Sequence, residues 1–232
     1  MAKSSMATAE TATSGNRKPP ATNRPVENGS GDMPRRFGVE MPYTMRLQLR
    51  GVTPLLFNRM DIEAYDRESG PGKKRKPRSR PEYESMIWRN EAGELAIPTA
   101  NIVASIVAAG KYFASPIASN GGATATLRDA LVAATELSSF GAKEWDCIDF
   151  RQARHGDRKG TPKPTYRPRL EPGWRVEAWI TVTIPELYGP ARLLEIVSRA
   201  GAAMGIGDGR KIGAGRYVTD GHDVDAGLPW EQ

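Results

Sequence analysis

The stretch that most constrains this chain runs from Met204 to Tyr217, where Gly205, Gly207, Gly209, Gly213 and Gly215 fall within eleven residues. It follows a helical pattern and precedes a short strand-like run. Glycine alone adopts positive φ without steric cost, and it lets another backbone approach closely. Two readings follow. One is a helix stop with Gly205 at the C′ position and a turn behind it. The other is a loop that wraps a phosphate backbone, with Arg210, Lys211 and Arg216 supplying charge.

The charge balance bears on that choice. The 232 residues carry a formal net charge of +6, and the isoelectric point is about 9.5. Clustered positive charge on this scale points to nucleic acid or another polyanion. One cysteine, Cys147, excludes an internal disulfide framework and fits a reducing, cytoplasmic setting. With only His155 and His222 beside it, no zinc site of common spacing can be assembled, so no metal and no cofactor is expected. No Walker-type phosphate loop and no Gly-x-Ser-x-Gly elbow is present, and Gly205-Ile206-Gly207 does not follow a strand as a dinucleotide fingerprint must. No run approaches the roughly 18 apolar residues of a membrane span. Residues 1–34 hold no apolar stretch between a basic start and a cleavage site, so a secretory leader is not expected.

Residues 1–40 have the composition of a disordered tail. Tyr43, Met45, Leu47 and Leu49 then alternate with Thr44, Arg46, Gln48 and Arg50, predicting a strand to Gly51 with one buried face. An insertion at about 58–92 follows. In it Lys73, Lys74, Arg75, Lys76, Arg78 and Arg80 lie within eight residues punctuated by prolines. This is a solvated surface loop, a mobile basic loop that closes on phosphates, or a nuclear-localisation signal of the same composition. Pro81 to Arg89 reads as a short helix and Leu95 to Ile97 as an extended piece. Thr99 is placed as the cap of a helix running to about Phe113, with Ile102, Ile106, Ala109 and Phe113 on one face. Gly110 inside it permits close packing. Residues 127–139 read as a helix followed by a strand.

A second insertion at about 151–170 holds Arg151, Arg154, Arg158, Lys159, Lys163, Arg167 and Arg169 within nineteen residues, with Asp157 the lone acid. It reads as a basic hairpin in which Tyr166 is placed to stack on a base. Trp174 to Ile184 alternates as a strand. Trp179 on its polar face is either a second packing layer, an oligomer contact, or a stacking platform. Pro190 to Met204 is an amphipathic helix with Pro190 at its first position. Arg216 to Thr219 gives a last short strand, and 221–232 reads as a peripheral acidic tail.

Stripped of insertions, residues 41–220 are β-α-β-β-α-β, an α+β, ferredoxin-like or RRM-like domain. In RNA-recognition modules of this plan the open sheet face carries stacking aromatics, and this chain lacks their aromatic consensus.

The element order, the basic finger between the central strands and the Gly205–Gly215 loop resemble the repeat-associated RAMP superfamily of CRISPR effector proteins. The likeness spans about residues 43–219 and is nearest to the backbone subunits that polymerise along guide RNA. The Gly-Ile-Gly-Asp segment also resembles a group of phage and prokaryotic proteins. The RAMP resemblance implies single-stranded RNA, or DNA, as partner, self-assembly and other effector subunits, and no membrane. It implies that Gly207, Gly209, Arg210, Lys211 and Gly213 lie against the nucleic-acid backbone, with Arg216 beside them. It places Arg154, Arg158, Lys159, Tyr166 and Arg167 in a thumb that splays bases. Some RAMP proteins are endoribonucleases. A metal-independent ribonuclease needs a general base, and His155 beside Asp157 is the candidate; a solvent-exposed bystander is the alternative. A structural interaction protein of a phage or prokaryotic assembly is the remaining reading.

Overall fold

The structure, a computed structural model, describes residues 35–36, 39–59, 80–153 and 163–226. Lys73, Lys74, Arg75, Lys76, Arg154, His155, Asp157, Arg158 and Lys159 lie outside the described residues.

Two two-residue strands, β1 (Arg35–Arg36) and β2 (Val39–Glu40), pair with each other ahead of the main fold. Next comes β3 (Tyr43–Gly51), whose alternation buries Tyr43, Met45, Leu47 and Leu49 on one face. It is flanked by β12 (Tyr217–Ala226) and β11 (Arg175–Val182), and β11 carries the short β7 (Leu131–Ala133) on its far side. The antiparallel order β12-β3-β11-β7 is 4-1-3-2 in the sequence of these four strands, the ferredoxin-like arrangement. Two helices lie on its buried face, α2 (Thr99–Ala109) and α4 (Pro190–Ala203). Ile102, Ile106, Leu193, Ile196 and Val197 seal against the β3 and β11 apolar rows with no measurable exposure. The period-two and period-3.6 patterns therefore face each other, and burying them drives the fold.

Two smaller sheets extend this layer. β4 (Leu55–Leu56) pairs with β10 (Lys163–Leu170), which forms a hairpin with β9 (Cys147–Ala153). β5 (Trp88–Arg89), β6 (Leu95–Pro98) and β8 (Leu137–Ser139) make the other. Phe57, Phe140 and Trp174 join them in successive edge-to-face contacts at 5.7 and 5.8 Å.

Several elements differ from the sequence reading for identifiable reasons. Pro98, not Thr99, occupies the cap of α2, and no side chain caps that end. The Thr99 hydroxyl is buried and meets Ser138 Oγ at 2.8 Å, so the neighbouring strand takes it from its own backbone. α2 stops at Ala109 and tightens into a 3-10 turn, Gly110–Tyr112. A Cβ at Gly110 would stand 2.7 Å from the Thr124 nitrogen, so the expected close packing is against α3 (Thr124–Ala130). α1 (Arg80–Glu84) is shorter than the 81–89 expectation because the chain turns at Met86 to enter β5. The strand expected after residue 132 is split between two sheets: Ala134 N–H bonds to the Trp179 carbonyl while Thr99 N–H takes the Glu136 carbonyl. β12 runs past the expected boundary at 220 to Ala226, with a bulge between Thr219 and Gly221. Its acidic residues belong to the sheet because Asp220 and Asp223 pair with Arg50 and Arg46 of β3.

Candidate nucleic-acid interface

The glycine-rich loop leaves α4 at the Gly51 end of the sheet. Gly205 has φ +70° and its N–H closes on the Ala200 carbonyl at 2.9 Å, so the helix-stop reading holds for the first turn. The remainder folds back on itself. Ile206 N–H bonds to the Gly215 carbonyl, Gly215 N–H to the Pro54 carbonyl, and Asp208 N–H to the Leu56 carbonyl, all at 2.8–2.9 Å. At Gly215 (φ +71°) any side chain would run into the Ile206 carbonyl. Gly207 and Gly209 rest on the Leu55 and Leu56 side chains. Gly213 (φ +86°) instead faces open space. Most of these glycines serve backbone packing, and one borders solvent.

The loop tip is a 3-10 turn, Arg210–Ile212, between left-handed Gly209 and Gly213. Arg210, Lys211 and Ile212 are exposed, and neither cation has a carboxylate partner among the described residues. Arg216 is half-buried. Its Nη2 donates to the Arg210 carbonyl at 3.3 Å, which props the turn, and its Nη1 is buried without a hydrogen-bond partner among the described residues. Thr53 ties the base of the loop: its hydroxyl donates to the Gly213 carbonyl and accepts from Arg216 N–H.

The hairpin meets this loop through charge. Arg167 Nε lies 2.6 Å from Asp208 Oδ2, with the guanidinium largely covered. Arg167 thus fastens β10 to the glycine loop, leaving Arg210 and Lys211 as the outward cations. On β9, Asp149 is 5% exposed and takes Arg151 at 2.9 Å and Arg169 at 3.7 Å. The opposite hairpin face pairs Phe150 with Tyr166 in register, ring centroids 4.9 Å apart. Phe150 is 56% exposed and was not singled out from the sequence; its alternation within a basic strand was the available signal. Cys147 is half-buried, and burial pushes its thiol up, with the Glu171 carboxylate adding to the shift.

The open face of the four-stranded sheet is a different environment. Arg46 Nη2 bonds to Glu177 Oε2 at 2.5 Å and its Nη1 sits 3.5 Å from Asp223 Oδ2, while Arg50 bonds to Asp220 at 2.9 Å. Trp179 is half-buried; its indole N–H donates to Glu177 Oε1 and the Arg46 guanidinium lies 5.7 Å from its ring. The hydrogen bond from Arg46 holds the Glu177 carboxyl below the usual carboxylate range, and the same contact raises Arg46. Trp179 is thus occupied by its own sheet neighbours.

No helix among the described residues is long and apolar enough to cross a membrane. No family model matches the chain, and no curated protein matches it. Solved structures do. A chain of the Type III-B Cmr-beta complex, determined by cryo-EM bound to cognate target RNA, is similar with a TM-score of 0.50 at 9% identity, over 80% of this chain and 61% of that one. This chain therefore spans about three fifths of that relative's length. Cmr6 from Pyrococcus furiosus is similar with a TM-score of 0.43 at 10% identity, over 77% of this chain and 98% of that one. The likeness to the Cmr-beta chain is one of architecture, and it agrees with the ferredoxin-like α+β fold described above.

Proposed function

We propose that the chain is a RAMP-type protein that binds single-stranded nucleic acid, RNA in preference to DNA, and assembles along the strand with further copies and other effector subunits. The observation that carries this reading is the Arg210–Lys211 turn: two exposed cations, without a carboxylate partner among the described residues, held on a loop between left-handed glycines. Arg216 Nη1 beneath it, without a partner among the described residues, adds a donor that an anion would satisfy. Exposed Phe150, backed by half-buried Tyr166 on the adjoining hairpin, offers a π-face to bases. The Cmr-beta relative was solved with target RNA, which favours RNA for this chain too.

Contacts of this kind bind by releasing counterions, so affinity depends steeply on salt, with a slope of about 0.7 per phosphate on a single strand. The test is fluorescence anisotropy of labelled single-stranded RNA and DNA across a salt series. The double variant Arg210→Ala, Lys211→Ala is expected to weaken binding for all sequences alike and to lower the slope by about 1.4. An unchanged slope removes the loop from the interface. A wild-type protein that binds neither strand at low salt overturns the reading. Sedimentation on strands of increasing length tests assembly, which predicts stepwise addition of copies.

A further inference from the structure

The four-stranded sheet has two edges, β12 and β7. At β7, Ala134 N–H donates to the Trp179 carbonyl, and the Ala130 carbonyl accepts from Thr183 N–H. Residues 130, 132 and 134 therefore turn their main chain toward β11, and Leu131 and Ala133 turn theirs outward. The Leu131 N–H closes α3 on the Leu127 carbonyl. The Leu131 carbonyl and both main-chain groups of Ala133 have no backbone partner among the described residues. Against this edge lies a groove of about 620 Å³ between α2 and α3. Val103, Ala104, Val107, Leu131 and Val132 line it, and its one charged side chain among the described residues is Arg128. Arg128 is exposed, with no carboxylate partner among the described residues. An edge with unmet main-chain groups beside an apolar groove suits an added strand, which bonds through its backbone and sets alternate side chains into the groove.

This chain carries a segment of that chemistry. Along β12 and beyond it, Val224, Ala226, Leu228 and Trp230 recur at every second position, between Asp223, Asp225, Gly227, Pro229 and Glu231. Residues 227–232 lie outside the described residues. Ala226 already stands opposite Tyr43, the first residue of β3, so β3 has no further strand residue to set against Leu228 or Trp230. The carboxylates of the segment are opposite in charge to Arg128. Pro229 lacks an N–H, and between two positions that bond to β7 it would turn to the outer side, where edge strands accept proline. The row Ala226, Tyr43, Val182, Leu131 crosses the sheet, so β7 of the same copy is three strand spacings, about 14 Å, from the end of β12. A strand continuing along β12 does not turn across that row, which makes a second copy the occupant.

We infer that residues 227–231 of one copy add as a strand to β7 of the next, with Leu228 and Trp230 in the groove between α2 and α3 and the carboxylates drawn to Arg128. The two surfaces differ, so the contact is head-to-tail and repeats from copy to copy. The inference deepens the assembly part of the reading proposed above, and it requires no nucleic acid.

The test is sedimentation of the nuclease-treated full chain over a range of concentrations. Wild-type mass should climb past that of a dimer. Trp230→Ala should weaken association at least about tenfold. Ala104→Glu sets a carboxylate in the groove at an exposed helix position and should weaken it as much. Arg128→Gln should weaken it about two- to fivefold, and less as salt rises. The Trp230→Ala protein keeps its groove, so a fluorescein-labelled peptide of residues 223–232 should bind it, and should not bind the same protein carrying Ala104→Glu. A wild type that stays monomeric at every concentration overturns the inference, and so does a peptide that binds both proteins equally or neither. Binding of single-stranded RNA by that same protein would leave the nucleic-acid reading standing. Association that follows these variants in a protein that binds no strand leaves this contact standing while the nucleic-acid reading falls. Equal thermal transitions among the variants separate lost contact from lost fold.

Discussion

The two arginine-bearing regions of this molecule spend their charge in opposite ways. On the open sheet face, Arg46 and Arg50 are met by Glu177, Asp220 and Asp223. Their fields are answered within the fold, and the one aromatic there lies beside a guanidinium already paired. On the glycine loop, the backbone supplies the rigidity instead. Its amides donate to the Pro54 and Leu56 carbonyls, leaving Arg210 and Lys211 exposed. A sheet that balances its own charges stabilises itself; a loop braced by main chain can hold cations for something else. The number of arginines does not separate the two regions. The position of the nearest carboxylate does.

The sharpest way to break this contrast is at the backbone brace. Gly215→Ala forces a side chain onto the Ile206 carbonyl at positive φ. It should cost about 3 kcal/mol, a fall in Tm of about 6–12 °C for a domain of this size. Differential scanning calorimetry reads it, and an unchanged Tm would mean that the loop is not braced as described. Next in size is the exchange of charge between the regions. Arg210→Ala with Lys211→Ala should lower single-strand affinity at least about tenfold, whereas Arg46→Ala with Arg50→Ala should leave affinity and salt slope alone. Equal losses from the two pairs would erase the distinction. Gly213→Ala, in open space at φ +86°, tests strain without collision. It should cost about 1–2 kcal/mol, clearly less than Gly215→Ala in the same calorimetry.

The smallest effect belongs to the sheet face. The folded Glu177 carboxyl lies below its ordinary value, so its stabilisation is present above the unfolded carboxylate range and is lost as pH falls through the lower folded value. Glu177→Gln should be less stable than wild type at pH 7, with the gap closing as pH falls below the ordinary carboxylate range. The side chains are more than a third exposed, so the gap is at most about 1 kcal/mol.

Periodicity made the sheet and helix layer readable in advance, because β3, β11 and α4 each put their apolar residues on one face at their own period. The glycine loop was readable as a loop, and its exposed tip coincides with Arg210 and Lys211. Its second function was not. That Gly207 and Gly209 lie on Leu55 and Leu56 depends on two segments some 150 residues apart, and no local pattern carries that. Arg167 looked like a phosphate ligand because its partner Asp208 lies 41 residues away in sequence, beyond any local pattern. β12 was read short because Asp220, Asp223 and Asp225 suggest a solvated tail until the arginines of β3 are placed opposite two of them. Phe150 was passed over because an aromatic in a strand ordinarily faces a core, and here the hairpin projects it outward.

The central position of β3 also sets a schedule for synthesis. Both of its neighbours, β11 and β12, lie far downstream: β11 begins roughly 120 residues after β3 ends, which at ribosomal rates of about 5–20 residues per second leaves β3 without a partner for roughly 6–24 s. During that interval its apolar row, Met45, Leu47 and Leu49, has no strand on either side. The nascent chain therefore passes through a stage that invites chaperone capture or mispairing, and the last strand to emerge closes the sheet beside the first.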